Sequence, residues 1–249
     1  MPPLSIPVKG TPESKSTFGV ATGTLSFNGY NSGAVFVPGE HTANLIIKLT
    51  GSNTITGQSM SLGGNMRYAG IANPTLGGGT TITSDNAASL NISINAAGQQ
   101  ALGIYNEDTA STRGNITISG FASVKLTITG TQYSSGLYGK NIAVLENASV
   151  EAVVSSSSTM HFDAFGISAT ILELNTTGNV LSDISGYTAG RTGLAVNISG
   201  GTSQFNLYNI NTLTIKWNDG GSAGTEPSYD SDIFDVDNST ERVRIYTKK

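Results

Sequence analysis

The chain of 249 residues contains no cysteine, which excludes disulfides, thiol nucleophiles and zinc sites built on thiolates. It has only two histidines, and neither a Gly-x-Ser-x-Gly nor a His-Glu-x-x-His sequence is present. Charged residues make up 12% of the chain, about half of the roughly 25% that is usual in globular proteins. Because Ile, Val, Leu and Thr alternate regularly and the net charge is small, the composition indicates an ordered β protein rather than a disordered one.

Charge and hydropathy also exclude two kinds of partner. The 17 acidic and 13 basic residues give a net charge of −4, so no basic surface for nucleic acid is expected. No apolar run approaches the roughly 20 residues that a membrane-spanning helix needs. Residues 1–17 hold four of the seven prolines and lack the charged-then-apolar order of a signal peptide, so we predict a flexible linker there.

A repeated pair of glycine and an apolar residue organises the rest of the chain. It occurs at spacings of 33, 33, 30 and 27 residues, a range typical of stacked repeats, and begins at Gly70, Gly103, Gly136, Gly166 and Gly193. Short alternating runs such as 115–118 and 124–128 lie between these pairs, separated by Gly, Ser and Asn turns. The pattern predicts an all-β, single-domain parallel β-helix (solenoid) over residues 18–249 with turns of about 30 residues, and a cap from about residue 218. A β-sandwich is the alternative.

The solenoid prediction assigns each side chain to the inside or the outside. The residues directly after the repeat glycines should form one inward column: Ile71, Ile104, Leu137, Ile167 and Leu194. The next residues should point outward: Ala72, Tyr105, Tyr138, Ser168 and Ala195. Tyr105 and Tyr138 would then be an exposed pair on adjacent turns, either packed on each other or forming a platform for a sugar ring. Trp217, beside Asn218 and Asp219, is either a second sugar-stacking residue or a plug at the end of the core.

Several segments resemble a known kind of repeat. Leu49–Gly57, Tyr68–Ile71, Ala88–Ile94 and Gly114–Gly120 resemble the repeats of glycine-rich bacterial cell-surface proteins, and are similar to clostridial carbohydrate-binding modules with a polysaccharide-lyase-like β-helix. The resemblance covers residues 43–140 best. It implies a right-handed parallel β-helix, export from a bacterium to the extracellular surface, and contact with polysaccharide. Those modules bind calcium through Asp clusters on their turns, whereas residues 43–140 carry only Asp85, Glu107 and Asp108.

The acidic residues suggest little chemistry. Cleavage of a polysaccharide needs clustered carboxylates, and here they are scattered over different repeats. Glu146 and Glu173, which are 27 residues apart, are the pair that stacking is most apt to bring together. His161 and Asp163 would share one face of a strand, as a metal or acid–base pair or simply as a solvated polar face. The acidic run 230–241 is either a charged cap or a calcium loop.

From these patterns we expect a non-catalytic protein of the bacterial cell surface that binds polysaccharide or a host glycan through Tyr105, Tyr138 and Trp217. We expect no cofactor, no bound metal, no nucleic acid and no membrane span. The alternatives are a polysaccharide lyase or glycoside hydrolase on the same fold, and a structural stalk without a ligand.

Overall fold

A computed structural model describes residues 15–19, 23–36, 44–62, 65–73, 78–96, 98–106, 114–157, 163–189 and 192–249. This part of the chain contains strands and no helix, and hence no helix that is long and apolar enough to cross a membrane. The strands of the first half are β1 (Lys15–Gly19), β2 (Thr24–Asn28), β3 (Asn31–Ser32), β4 (Val35–Phe36), β5 (Leu45–Thr50), β6 (Ser52–Thr56), β7 (Gln58–Leu62), β8 (Asn65–Ala72), β9 (Thr80–Ala96), β10 (Gln100–Tyr105), β11 (Ile116–Gly130) and β12 (Ser134–Tyr138). Those of the second half are β13 (Asn141–Glu146), β14 (Ser149–Ser157), β15 (Asp163–Ala169), β16 (Ile171–Thr176), β17 (Asn179–Asp183), β18 (Tyr187–Ala189), β19 (Thr192–Ile198), β20 (Gln204–Asn209), β21 (Thr212–Lys216), β22 (Ser222–Gly224), β23 (Phe234–Asp237) and β24 (Val243–Lys248).

Apart from β1, β7, β23 and β24, which pair antiparallel with their neighbours, the strands stack in parallel as a β-solenoid with about 33 residues per turn, which confirms the predicted fold class. Three faces result. Face A consists of β2, β5, the first part of β9, the first part of β11, β13, β16 and β20. Face B consists of β3, β6, the second parts of β9 and β11, β14, β17 and β21. Face C consists of β4, β8, β10, β12, β15, β19 and β22. Because β9 and β11 bend around the corner without ending, faces A and B belong to one sheet and face C forms a second.

The core runs along the inside of the coil as stacked columns of apolar residues. In β11 buried and exposed residues alternate strictly from Gly120 to Gly130, as a strand with one solvated face requires. On face B, for example, Leu90, Val124, Val150, Val180 and Leu213 follow one another in register, and all are buried. Each turn therefore completes its core only through its neighbours, which is why the sequence must repeat.

Close backbone contact explains the repeat glycines. A Cβ atom on Gly103 would lie 2.4 Å from the carbonyl oxygen of Gly136 on the next turn, and one on Gly136 would lie 2.5 Å from that of Gly166. A Cβ on Gly166 would in turn lie 2.7 Å from the carbonyl oxygen of Ala195. The carbonyl oxygen of the next turn thus leaves no room for a Cβ atom at these three glycines.

The inward column follows the prediction over four turns and departs from it at the fifth. Ile71, Ile104, Leu137 and Ile167 are consecutive register partners and fully buried. The partner of Ile167 is Val196, however, not the predicted Leu194, which pairs with Phe165 instead. The prediction was wrong there because the glycine position of this turn is taken by Ala195, which lies two residues after Gly193.

An antiparallel hairpin follows the last turn. After Asn218 the chain forms β22 on face C and then returns as β23 and β24, and β24 pairs antiparallel with β21. Its Tyr246 and Phe234 are buried against the core. Asp235 and Asp237 stand exposed on the edge strand β23, where negative charge opposes pairing with another chain. Phe234 and Tyr246 thus close the core at the end of face B.

Three buried tyrosines predict a loss of stability in alkali. Burial raises the pKa of the Tyr30, Tyr187 and Tyr246 phenols above the ordinary value of 10.0. Their contribution to the free energy of unfolding is therefore complete below about pH 10 and is lost as the pH rises through their folded pKa. We expect the melting temperature to be level from about pH 7 to 9 and to fall above about pH 10. Tyr30→Phe, which cannot ionise, should lessen that fall in melts followed by circular dichroism; an equal fall in both proteins would contradict the assignment.

Candidate functional site

Tyr105 and Tyr138 are neighbours on adjacent turns, as predicted, but they are not exposed. The two residues are register partners and their rings stack with centroids 5.4 Å apart. Only 4% of Tyr105 and 8% of Tyr138 is accessible to solvent. They pack in a second apolar cluster on the outer side of face C, whose other members are Ala69, Ala72, Leu102, Phe36 and Tyr133. The expected exposure was wrong because neighbouring turns supply apolar side chains that cover the outer side of face C, and the packing alternative describes this pair.

Trp217 lies directly after β21 and far along the coil from the tyrosine pair. Its ring is partly buried against the main core, and the Arg244 guanidinium carbon lies 5.8 Å from the ring centroid. Asn218 turns away from the ring, since its amide donates to the backbone carbonyls of Ser185 and Tyr187. The three predicted sugar-stacking residues therefore do not share one surface, and the surroundings of Trp217 are those of a plug at the end of the core.

Stacking does not bring Glu146 and Glu173 opposite each other. The register partners of Glu173 are Ala143 and Asn206, and that of Glu146 is Thr176. Glu146 instead accepts a hydrogen bond from the Gly120 backbone N–H at 2.6 Å. No group of three or more His, Asp or Glu side chains among the described residues could hold a metal ion, and His41 and His161 lie outside those residues.

Phe121 is an exposed aromatic residue that the sequence analysis missed. It is 50% exposed and lies at the corner between faces A and B, where it lines a shallow hollow with Ser52, Ser89 and Ser123. A signal for it was present. The odd-numbered residues of β11 all point outward, and Phe121 is the one apolar residue among them. An apolar residue at an outward position of an otherwise regular alternation marks a candidate contact surface.

A concave polar surface begins beside Phe121 and runs across the turns of face B. This face B trough has a volume of about 690 Å³ and is lined by residues of successive turns, among them Asn91, Lys125, Glu151, Asn179, Leu181 and Asn211. Ser123 lines both the trough and the hollow at Phe121, so the two surfaces are continuous. Among the described residues, Lys125 and Glu151 are its only charged lining residues, and they form an ion pair at 2.6 Å. The trough thus offers hydroxyl and amide groups without a net charge.

The backbone holds this surface in a fixed shape. Asn91, Lys125, Glu151 and Leu181 are consecutive register partners, so they form one straight column across four turns. The Asn211 side-chain amide donates to the Asn179 side-chain oxygen at 2.8 Å, a bond that joins the last of these four turns to the next one at the edge of the trough. A ligand would therefore meet groups that are already in place, which lowers the entropic cost of binding.

Compared with models of protein families, with curated proteins and with solved structures, the chain matches none of them.

Proposed function

We propose that this protein is a non-catalytic module of an exported or cell-surface protein and binds a neutral polysaccharide along face B. The observation that carries the proposal is the face B trough, which is long, rigid, uncharged overall and bordered by the exposed ring of Phe121. Sugar hydroxyls both donate and accept hydrogen bonds, as do the Ser, Thr and Asn side chains that line the trough. The apolar C–H face of a sugar ring finds its partner in an aromatic ring.

The charge of the trough favours a neutral chain over an acidic one. Lys125 and Glu151 satisfy each other, so no unpaired cation remains among the described residues of the trough for a uronic acid or a sulfated sugar. The scattered acidic residues likewise support binding rather than cleavage, because hydrolysis of a glycosidic bond requires two carboxyl groups placed about 5–10 Å apart across it.

Binding to immobilised polysaccharides tests the proposal. We expect a panel of neutral glucans, mannans, galactans and xylans to include a ligand, and we expect polyuronates to bind less. Phe121→Ala should weaken the affinity about tenfold, since loss of an aromatic contact costs about 1.4 kcal/mol. Tyr208→Ala is the matched control, because Tyr208 is 55% exposed but lies on β20 of face A.

Three results would overturn the proposal. The first is that no polysaccharide of the panel is retained, which would favour a structural stalk. The second is equal loss of affinity in Phe121→Ala and Tyr208→Ala, which would place binding elsewhere. The third is release of reducing ends or unsaturated products from a bound polysaccharide, which would establish the enzyme alternative.

A further inference from the structure

A second hollow lies on the same corner, on the other side of a protruding loop from Phe121. It has a volume of about 210 Å³, and its lining includes Lys48, Gly51, Thr83, Asp85 and Asn86. Gly51 also lines the hollow at Phe121, so the two hollows adjoin. Since pockets for drug-sized ligands occupy about 300–1,000 Å³, this one suits a group no larger than a single sugar residue.

The loop between the hollows is an insertion in β9. Ser84 pairs with Gly120 and Ala88 with Ala122, so residues 85–87 stand opposite Phe121 alone. The extra residues protrude at the corner as a wall, as in a β-bulge. Ser84 anchors this wall, because its buried hydroxyl donates to the Leu49 carbonyl of the preceding turn at 2.9 Å.

Two opposite charges face the second hollow without neutralising each other. Lys48 is the register partner of Thr83, and Asp85 follows two residues later in the chain. Both side chains line the hollow, and neither takes part in an ion pair within the described residues. Elsewhere in the same surface Lys125 and Glu151 do pair. An amine that only donates and a carboxylate that only accepts hydrogen bonds are thus both available to a ligand.

We propose that this hollow is a specificity subsite for one sugar residue and recognises two adjacent hydroxyl groups. One hydroxyl donates to the Asp85 carboxylate and its neighbour accepts from the Lys48 amine, while a sugar residue on the far side of the wall lies on Phe121. This inference rests on the proposed function, because the residue belongs to the polysaccharide that continues into the face B trough. A vicinal diol fits this hollow better than a charged group does. A cationic group would be repelled by Lys48, and an anionic group would be repelled by Asp85.

Two conservative substitutions test the subsite. Lys48→Met should weaken binding of the neutral polysaccharide identified in the panel by about tenfold, because it removes a hydrogen bond to a charged group. Asp85→Asn should weaken it less, because the amide keeps an acceptor oxygen and only the charge that strengthens the bond is lost. Both side chains are exposed and without ion-pair partners among the described residues, so the melting temperature should not change. Lys140→Met is the matched control, an exposed lysine at a corner between faces C and A. The affinity of the unchanged protein should vary little with salt, as expected for an uncharged ligand.

The outcomes separate the subsite from the function. Loss of affinity in both variants, with Lys140→Met unchanged, supports the diol subsite. Loss in Lys48→Met alone, with strong salt dependence, would mean recognition of an anion and would overturn it. Unchanged affinity in both variants while Phe121→Ala loses affinity would overturn the subsite and leave the proposed function standing. If the unchanged protein binds no polysaccharide of the panel, both proposals fall.

Discussion

Gly120→Ala is expected to lower the free energy of unfolding by about 2–5 kcal/mol, through two separate effects at the corner that carries Phe121. The backbone of Gly120 has a φ of 67°, a left-handed conformation that costs an L-residue with a side chain about 1–2 kcal/mol. A Cβ atom there would also lie 2.1 Å from the Ser84 carbonyl oxygen on the preceding turn. That oxygen belongs to the backbone of a buried residue, so the two turns must move apart to relieve the contact, which adds about 1–3 kcal/mol.

Two other glycines separate these effects. Gly29 has a φ of 65° but no atom within 4 Å of the position that an alanine methyl would occupy, so Gly29→Ala should show the conformational cost alone, about 1–2 kcal/mol. Gly201 has neither a positive φ nor a neighbour within 4 Å, and Gly201→Ala should leave stability within about 0.5 kcal/mol of the unchanged protein. Urea denaturation of all three variants gives the comparison. Equal losses in Gly120→Ala and Gly29→Ala would show that the turns are not packed as closely at this corner as the backbone distance requires.

The same variant also tests the candidate site. Moving Gly120 away from Ser84 displaces Phe121, which follows it directly, and the wall of residues 85–87, which Ser84 anchors. We therefore expect Gly120→Ala to weaken polysaccharide binding even under conditions where the variant is fully folded. Gly29→Ala, which lies in the turn between β2 and β3, should bind as the unchanged protein does.

The repeat could be predicted from the sequence because the solenoid imposes it on every turn. An inward residue must be apolar in each turn, and the glycines of face C must recur wherever backbones touch, so both leave a periodic signal. The wrong prediction at Leu194 has its cause in the same periodic signal. Leu194 and Val196 are two residues apart and share the alternation, so nothing in their pattern separates them, and the glycine that marks the column elsewhere is Ala195 in this turn.

The exposure of individual residues could not be predicted in the same way. Alternation assigns Tyr105 and Tyr138 to the outer side of face C but carries no information about the apolar cluster that covers that side. For Phe121 the alternation also predicts an outward side chain, and here the side chain is exposed because it lies at the corner between faces A and B. The candidate site depends on the inserted wall at 85–87, which shifts the register between Gly120 and Ala122 and has no periodic signal. The site therefore appears only when the turns are stacked.

Asn53→Ala is expected to cost about 2–4 kcal/mol, since it leaves buried polar groups of neighbouring turns without partners. Asn53 is fully buried at the same corner and connects three turns. The side-chain oxygen of Asn53 accepts a hydrogen bond from the Tyr30 backbone N–H at 2.9 Å. Its side-chain amide N–H donates to the backbone carbonyls of Thr50 at 3.2 Å and Ser89 at 3.1 Å. Asn95→Ala is the matched control, because Asn95 is exposed on β9 and should change stability by less than about 0.5 kcal/mol.

Asn53→Asp removes the amide donor of Asn53 but keeps the volume of its side chain, whereas Asn53→Ala removes both. The new carboxylate keeps an acceptor for Tyr30 but turns a negative oxygen toward the carbonyls of Thr50 and Ser89, so burial and repulsion should raise its pKa above the unfolded value of about 3.9. A group with a raised folded pKa favours folding when it is protonated. The cost of this substitution should therefore be greatest at neutral pH and should shrink as the pH falls through the folded pKa, whereas the cost of Asn53→Ala should not depend on pH in that range. Midpoints of urea denaturation measured from about pH 7 to 4 would test this expectation. If the midpoints of the two variants change with pH in the same way, the Asn53 amide donor does not hold the three turns together.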